Sequence, residues 1–491
     1  MIDFSRLEEY RENNRIEAKK ALGGLPKSIW ETYSAFANTL GGIILLGVEE
    51  AADKSLRVAN GGLPDPAALI NEFWNIINNP KKVSVNILSD KDVYVQAVDG
   101  KNIIVIDIPR AARSYRPIYI DGNPVTGTYR RNGEGDYRCT QEEYRTMVRD
   151  ASVRTADMLV LEEMDLSVFN AESIDSYRKR MHLSRPNHVW ETLNDEDFLL
   201  RLGAVGIGGD GKKHPTTAGL LMFGNEYCIT REFSAYFLDY QEQYDESLRW
   251  TDRIVSSSGD WSGNVYDFYF RVYRRLTQDI KVPFAMEGGM RVDDTPVHQA
   301  LREALANCLV NADYYGRQGV VIIKRKEQIT FSNPGGFRIE IDAAKSGGIS
   351  DPRNSALLKM FNLINIGERA GSGIPNIFSV WSKQGWAEPV IKEAFEPERT
   401  TLILTASAKE RKIGDKKSAI KIGDKKSAIS AAAKCSIIEY LTDRASASCA
   451  EIASAIGLKE SRTRDYLKEL AAEDILVAEG ANRNRRYLLK R

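Results

Sequence analysis

Residues 12–50, ENNRIEAKKALGGLPKSIWETYSAFANTLGGIILLGVEE, are the most informative stretch of this 491-residue chain. Apolar side chains recur at helical spacing over residues 29–40, and Ser28 and Glu31 precede them with the spacing of a capping box. Two glycines then end the helix, and the apolar run that follows is typical of a buried strand. The stretch therefore predicts a helix packed on a sheet.

Three carboxylates and a lysine bracket this helix: Glu12, Glu17, Glu49 and Lys19. One interpretation is that they are solvated side chains at the ends of structural elements. The other is a nucleic-acid site in which Glu12, Glu17 and Glu49 bind Mg²⁺ or Mn²⁺ to activate water, while Lys19 contacts the scissile phosphate. The residues alone leave both interpretations open.

This stretch resembles the AlbA-type domain of the Schlafen family. The resemblance rests on Glu12, on Glu17-Ala18-Lys19 and on AFANTLGGIILLGVEE, and it continues to about residue 145. It implies a nucleic-acid-binding fold, and in animal Schlafen nucleases two glutamates and a later aspartate cut structured RNA. Glu12 and Glu17 match the first two positions. Glu49 stands where the family has aspartate, and Ala18 replaces an aromatic residue.

Composition limits the classes of protein that fit. The chain has 68 basic and 68 acidic residues, so nucleic-acid binding must come from local patches. Five scattered cysteines and four histidines argue against disulfides and zinc ribbons and favour a reducing compartment. No apolar run approaches the ~20 residues of a membrane span, and no signal-peptide core is present. We expect a cytoplasmic protein without membrane contact.

A cluster of arginines follows the three predicted strands over residues 82–109. Together with neighbouring tyrosines it forms a candidate surface for phosphates and bases. The alternative is a loop of ordinary surface arginines. The cluster contains Arg110, Arg113, Arg116, Arg130 and Arg131, with Tyr115, Tyr119 or Tyr129 available for stacking.

The segment 151–290 carries no catalytic constellation. Residues 220–224, LLMFG, are typical of a strand. The glycine-rich run 206–211, GIGGDG, lacks the following Gly-Lys-Ser/Thr of a phosphate loop, so a hairpin turn is the better interpretation.

A second motif begins at Thr295-Pro296, a typical N-cap and first helical residue. Glu303 and Asn307 are four residues apart and therefore share one face of the predicted helix. A carboxylate and an amide in this arrangement suit a magnesium-nucleotide site, in which asparagine holds the metal and glutamate orients water. The alternative is a polar flank on a packed helix.

REALANCLVNADY, then SNPGG, then GERAGSGI resemble the RecG-like C-terminal subfamily of GHKL ATPases. The resemblance implies that ATP and Mg²⁺ are cofactors, that Glu303 serves hydrolysis and that Asn307 serves magnesium. It places Gly371 and Gly373 in a lid over the phosphates. Asn333 and Gly335 fall on the Asp-x-Gly-x-Gly box, with Asn333 in place of the adenine-reading aspartate.

The C-terminal part is basic. KIGDKKSAI occurs twice in tandem within residues 409–430, which predicts a linker, and residues 431–491 have the pattern of a winged helix. Residues 409–491 contain 19 basic and 12 acidic residues, a net charge of +7. The predicted third helix and the wing supply the candidate DNA contacts Ser461, Arg462, Arg464, Lys468, Arg483, Arg485 and Arg486.

The sequence thus predicts an α+β multidomain protein: an AlbA-type Schlafen domain, a GHKL-like α/β sandwich and a C-terminal winged helix-turn-helix. The expected divisions are 1–150, a connecting region 151–290, the GHKL-like domain 291–408, the linker 409–430 and the winged helix 431–491. We expect a homodimeric transcriptional regulator that binds DNA in preference to RNA and senses a nucleotide. The alternative is a metal-dependent nuclease, and weak ATPase activity is compatible with either function.

Overall fold

The computed structural model divides into two compact units, Met1–Glu410 and Arg411–Arg491. In the first unit it describes residues 2–245, 248–278, 285–287, 290–292, 295–367, 371–395 and 397–407. In the second it describes residues 437, 440–441, 446–455, 460–472, 476–480 and 485–490.

The first unit begins with a mixed sheet and two helices. The strands are β1 (Ile16–Lys19), β2 (Gly42–Leu46), β3 (Val48–Glu50), β4 (Leu56–Val58), β5 (Val93–Val98) and β6 (Lys101–Ile108), and the helices are α1 (Ile29–Asn38) and α2 (Pro66–Ile77). The main sheet has the order β1-β2-β6-β5. β1 and β2 are parallel and α1 connects them, whereas β6 pairs antiparallel with both of its neighbours.

The alternation of side chains along β2 explains why both faces of this sheet are covered. Ile44 and Leu46 are buried in the apolar cluster that contains α1. Leu45 belongs to a second cluster on the opposite face, with Leu7 and Ile16. The expected helix and buried strand of the opening stretch are confirmed.

Two details of the first domain differ from expectation. Ser28 has helical backbone angles and makes no capping hydrogen bond with its side chain, so the expected capping box is absent. Residues 82–88 were expected to be a strand, but with the described residues they form a single bridge, between Val83 and Ile120. A hairpin of β7 (Tyr129–Asn132) and β8 (Gly135–Arg138) and helix α3 (Gln141–Ala151) follow.

The middle of the first unit is mainly helical. It contains α4 (Ala171–Ser184), α5 (Asp195–Leu202), β9 (Val205–Ile207), β10 (Lys213–Pro215), α6 (Thr217–Phe223), α7 (Glu226–Glu232), β11 (Leu238–Glu242), β12 (Asp252–Val255) and α8 (Val265–Thr277). The GIGGDG run joins β9 to β10, as expected for a hairpin turn. The strand predicted over 220–224 is wrong, because residues 220–223 belong to α6, which is buried on every side.

A six-stranded sheet completes this unit. Its remaining elements are β13 (Ala285–Glu287), β14 (Met290–Val292), α9 (Pro296–Val310), β15 (Val320–Lys324), β16 (Gln328–Pro334), α10 (Ile341–Ser346), α11 (Ser355–Leu363), α12 (Gly373–Lys383), β17 (Val390–Phe395) and β18 (Glu398–Thr405). The strand order is β12-β11-β15-β16-β18-β17. Because β11 and β12 precede residue 290, the sheet crosses the expected division between the connecting region and the GHKL-like domain.

The second unit contains β19 (Ala447–Ser448), α13 (Cys449–Ala455), α14 (Glu460–Ala472), β20 (Leu476–Glu479) and β21 (Arg486–Leu489). The strands form an antiparallel sheet in the order β19-β21-β20. Ile452, Leu467, Leu470 and Tyr487 pack in its apolar core. Of the expected first helix, 433–442, only residues 437, 440 and 441 are described, and of the expected wing tip, 482–485, only Arg485 is described. Among the helices that are described, none is long and apolar enough to cross a membrane.

Candidate nucleotide cleft and nucleic-acid interfaces

Helix α9 presents a row of polar side chains four residues apart. Pro296 occupies its first turn, and Thr295 forms a capping box with His298. The side-chain amide Nδ2 of Asn307 donates to Oε1 of Glu303 at 3.1 Å, so the predicted pair is in direct contact.

A cleft lies beside this row, between α9, α12 and the sheet. Five of the six predicted nucleotide-binding residues line it: Glu303, Asn307, Asn333, Gly371 and Gly373. Much of the remaining wall is apolar, as expected for a ligand cleft with few polar groups. These apolar residues include Phe331, Phe337, Ile349, Ile374, Ile377 and Phe378.

Two glycines bring the backbone of the predicted lid close to the cleft wall. A Cβ atom on Gly373 would collide with Oε1 of Glu303. Gly371 has a φ of +67°, and its Cβ would lie 2.6 Å from the carbonyl oxygen of Ile349. Only glycine satisfies both the backbone angle and the packing at position 371. Residues 368–370 of the same loop lie outside the described part.

Asn333, which stands in place of the family's adenine-reading aspartate, presents a side-chain amide to its neighbours. Its Nδ2 donates to the carbonyl oxygens of Pro334 at 3.1 Å and Asn311 at 3.4 Å. These two acceptors fix the orientation of the amide, so Oδ1 is the acceptor that remains for a ligand.

Gly335 is the one predicted nucleotide-binding residue outside the lining of this cleft. Its φ is +91°, and a Cβ there would lie 2.7 Å from Nη2 of Arg353. Its carbonyl oxygen accepts from the hydroxyl of Thr400 at 2.9 Å. Gly335 therefore shapes the turn behind Asn333.

The donor set of the cleft fits a magnesium-nucleotide. Because the amide Nδ2 of Asn307 is bound to Glu303, Oδ1 of Asn307 is the atom suited to Mg²⁺, a cation that prefers oxygen ligands. Mg²⁺ bound with a nucleotide would neutralise phosphate charge. Glu303, which was predicted to orient water, lies on the same helix face as Asn307.

Two of the three carboxylates of the opening stretch, Glu17 and Glu49, pair with cations of the chain itself. Glu17 accepts from Nζ of Lys19 at 2.9 Å through one oxygen and from Nη2 of Arg131 at 2.8 Å through the other. Glu12 accepts from the backbone N–H of Ala18 at 2.9 Å. Burial raises the pKa of Glu12, opposed by that hydrogen bond and assisted by the nearby charge of Glu17.

This arrangement does not fit a divalent cation held by all three predicted glutamates. Both oxygens of Glu17 are engaged, and Glu49 pairs with Lys20 at 2.6 Å. Among the described residues, no group of three or more potential acidic, histidine or cysteine ligands is placed to hold a metal ion. Metal binding by Glu12 and Glu17 stays a prediction, and in the structure Glu17 forms an ion cluster with Lys19 and Arg131.

The predicted arginine cluster is mostly buried. Arg131 is 3% exposed and also pairs with Asp136 at 2.9 Å, and Arg130 pairs with Glu143 at 2.8 Å. Arg116 is 8% exposed, and its Nε has no hydrogen-bond partner among the described residues. Burial, followed by repulsion from a neighbouring arginine, lowers the pKa of Arg116 to about 10. Phosphate could reach these three side chains only if the groups that bury and pair them moved away. Phosphate binding by these residues therefore stays a prediction.

Other members of the cluster bind acidic residues far away in the sequence. Arg110 forms a two-point ion pair with Glu393, at 2.7 and 3.2 Å, and donates to the carbonyl oxygen of Phe337 at 3.1 Å. Arg113 pairs with Asp351. Sequence reasoning missed these acidic partners because no local pattern links residues more than 200 positions apart.

Two predicted DNA-binding side chains lie together on α14. Arg464 and Lys468 are exposed and one helical turn apart, while Tyr466 and Leu467 are buried between them in sequence. Arg485 and Arg486 are also exposed, next to the described strand of the wing. Arg483 and the side chains of Ser461 and Arg462 lie outside the described part.

Comparison with known families assigns the domains. The family model "Schlafen, AlbA_2" matches residues 12–140. The N-terminal region is therefore a Schlafen AlbA_2 domain. Downstream of the AlbA_2 domain, a domain of unknown function (DUF8451) matches residues 145–239, and "FaeA-like protein" matches residues 433–483.

The model "Putative ATP-dependent DNA helicase recG C-terminal" matches residues 318–404, which we call the RecG-type domain. The match contains Asn333, Gly335, Gly371 and Gly373, and it begins after the helix that carries the Glu303 pair. Together with the AlbA_2 domain and the FaeA-like winged helix, it confirms the expected α+β multidomain architecture. This combination indicates a DNA-binding, regulator-type protein.

Two solved structures are similar to the chain. The DIP2311 protein from Corynebacterium diphtheriae is 15% identical, with 97% of this chain and 95% of that chain covered at a TM-score of 0.40. The N-terminal domain of a RecG-related protein from Nitrosomonas europaea is 31% identical, with 28% of this chain and 95% of that chain covered at a TM-score of 0.22. No curated protein matches the chain.

Proposed function

We propose that the chain is a transcriptional regulator that binds duplex DNA through its C-terminal unit. The observation that carries this proposal is that Arg464 and Lys468 of α14 are exposed, whereas Leu467 and Leu470 of the same helix are buried. In a winged helix the third helix enters the major groove, where its exposed side chains reach base edges. The wing residues Arg485 and Arg486 would meet the phosphate backbone.

Charge supports the same assignment. Residues 409–491 carry a net charge of +7, so the preceding residues of this neutral chain sum to −7. A basic unit on an otherwise acidic chain is typical of a dedicated nucleic-acid module. A winged helix usually binds as one of a pair, so we propose a homodimer on a two-fold symmetric site. A cytoplasmic location is part of the same proposal.

We further propose that the cleft between α9 and the RecG-type domain binds ATP with Mg²⁺ and that the nucleotide regulates the protein. Asn307 would hold the metal, Asn333 would accept a hydrogen bond from the base, and the backbone at Gly371 and Gly373 would approach the phosphates. The convergence of these four residues on one cleft supports this assignment.

The DNA-binding proposal is tested with the double variant Arg464→Ala/Lys468→Ala in the full chain. Fluorescence anisotropy should show affinity for genomic duplex fragments reduced by about tenfold, with the salt dependence shallower by about 0.9 for each lost phosphate contact. Arg154→Ala, which removes an exposed arginine from the first unit, is the matched control. Equal affinity of the double variant and the control would contradict the proposal.

The nucleotide proposal is tested by calorimetry with Asn307→Ala. We expect Mg²⁺-dependent ATP binding by the wild type and its loss in the variant, because the amide supplies the metal-facing oxygen. Asn60→Ala removes an exposed amide elsewhere in the first unit and should bind as the wild type does. Equal Mg²⁺-dependent binding by Asn307→Ala would remove the proposed role.

A further inference from the structure

The segment 110–116 of the AlbA_2 domain carries three arginines, and two of them bind the RecG-type domain. Arg110 makes its two-point ion pair with Glu393 of β17, where the two side chains are 6% and 3% exposed. Arg113 pairs with Asp351, which lines the nucleotide cleft. Arg116 is buried beside them. We call this segment the arginine loop.

Ionic rather than apolar contacts join the two domains. The apolar clusters of the AlbA_2 domain contain buried residues from Ile2 to Tyr129, and the large cluster of the rest of the first unit runs from Leu161 to Leu404. In the part of the chain that the structure describes, no apolar cluster contains buried residues from both sides. Separation of these domains therefore exposes charged groups that water solvates well, and it opens no shared apolar core.

The carboxylates at this boundary present the same chemistry as a nucleic-acid backbone. A guanidinium binds a carboxylate or a phosphate through two parallel hydrogen bonds, the geometry that Arg110 and Glu393 adopt. Within the part of the chain that the structure describes, Nε of the neighbouring Arg116 has no hydrogen-bond partner, so the docked arrangement leaves a buried donor unsatisfied. An anionic ligand with several phosphates could satisfy all three arginines at once.

We propose that the arginine loop is a masked phosphate-binding surface, for which the nucleic-acid backbone competes with Glu393 and Asp351. In the docked state the carboxylates hold the arginines; in the undocked state the arginines contact consecutive phosphates. We call Glu393 and Asp351 the mask. Asp351 lines the nucleotide cleft, as does Phe337, whose carbonyl oxygen accepts from Arg110, so the mask adjoins the cleft. The inference rests on the proposed nucleic-acid binding of the chain, but not on the winged helix as its site.

The test weakens the mask by Glu393→Gln in the full chain, with Glu388→Gln as the matched control. Both variants remove one negative charge from the same domain, and Glu388 is exposed. Each substitution is also made with Arg464→Ala/Lys468→Ala, so that binding through the winged helix is weakened. We expect Glu393→Gln to bind a fluorescent DNA duplex about tenfold more tightly than Glu388→Gln, with a salt slope steeper by about 0.9 per released arginine. Equal affinities and slopes would overturn the proposal.

If the wild-type chain binds no DNA but Glu393→Gln does, the result supports the mask and counts against the winged-helix function. If the wild-type chain binds DNA and Glu393→Gln binds it no more tightly, the result does the reverse. Failure of the mask and failure of the winged-helix function are therefore distinguishable.

Glu393→Gln leaves Arg110 without its charged partner, which can lower the stability of the variant. A second measurement, amide hydrogen exchange of the wild-type chain, does not depend on the stability of any variant. The duplex should increase amide exchange in residues 390–395, because β17 loses Arg110 when the loop undocks. Unchanged or slower exchange there with DNA bound would overturn the proposal.

Discussion

Nη2 of Arg131 lies 2.8 Å from Oε2 of Glu17, and the Arg131 side chain is only 1% exposed. The same guanidinium lies 5.1 Å from the ring centre of Phe36 on α1 and binds Asp136 on β8. A residue expected to bind phosphate and a residue expected to bind metal are thus two halves of one buried ion pair. This pair joins β1, the helix α1 and the β7–β8 hairpin. We therefore expect it to stabilise the folded AlbA_2 domain.

Arg131→Ala should therefore destabilise the AlbA_2 domain. Removal of the cation leaves Glu17 and Asp136 without their shared partner, which costs about 3 kcal/mol or more for a buried pair. Urea unfolding followed by circular dichroism measures the loss, with the exposed Arg154→Ala as control. An unchanged midpoint together with weakened nucleic-acid binding would instead show that Arg131 is a phosphate ligand.

Glu12→Gln should stabilise the protein at neutral pH. Burial raises the pKa of Glu12 above its ordinary value, so the folded chain binds this proton more tightly than the unfolded chain. Ionisation therefore lowers the unfolding free energy above the folded pKa, and this penalty disappears as the pH falls to the unfolded value of 4.5. The advantage of the variant in thermal unfolding should shrink over the same pH range. A less stable Glu12→Gln at neutral pH would contradict this assignment.

The nuclease alternative has a direct test in the same cluster. Because Lys19 and Arg131 engage both oxygens of Glu17, we expect no Mn²⁺-dependent cleavage of tRNA or plasmid by the wild type. Gel electrophoresis of wild type, Glu17→Ala and Glu8→Ala, an exposed glutamate, decides the point. Cleavage by wild type and Glu8→Ala that is lost in Glu17→Ala would establish a nuclease.

Gly373→Ala should weaken nucleotide binding without unfolding the protein. The added Cβ would meet the carboxylate of Glu303, the mobile end of a side chain, so this carboxylate moves and the backbone is kept. Gly23→Ala is the matched control, because its Cβ would have no neighbour within 4 Å. Calorimetry with Mg-ATP should show loss of affinity for Gly373→Ala alone. Equal affinity of both variants would show that this contact has no part in nucleotide binding.

The sequence predicted helices and strands well where apolar residues recur with one clear period, either helical or alternating. The helices α1, α9 and α14 and the strands β5 and β6 follow from apolar spacing and turn residues. The failure at residues 220–224 has a physical cause: α6 is buried all round, so its sequence lacks the polar face that distinguishes a helix from a buried strand.

Candidate-site residues were predictable only within short segments. The Glu303–Asn307 contact follows from a spacing of four on one helix, and the placement of Asn333 at the same cleft was suggested by family resemblance. The ion pairs of Arg110 and Arg113 were not predictable, because folding alone brings their acidic partners close. Because of these long-range ion pairs, arginines that were predicted to form a surface patch lie at the boundary between the AlbA_2 and RecG-type domains.

The most direct test of the account is to identify the nucleic acid that copurifies with the full chain and with residues 1–410. The C-terminal boundary follows the division between the two compact units. We predict that duplex DNA enriched in a limited set of sequences copurifies with the full chain and that this enrichment is lost with residues 1–410. The same enriched DNA with both proteins, or RNA in place of DNA with the full chain, would contradict the account.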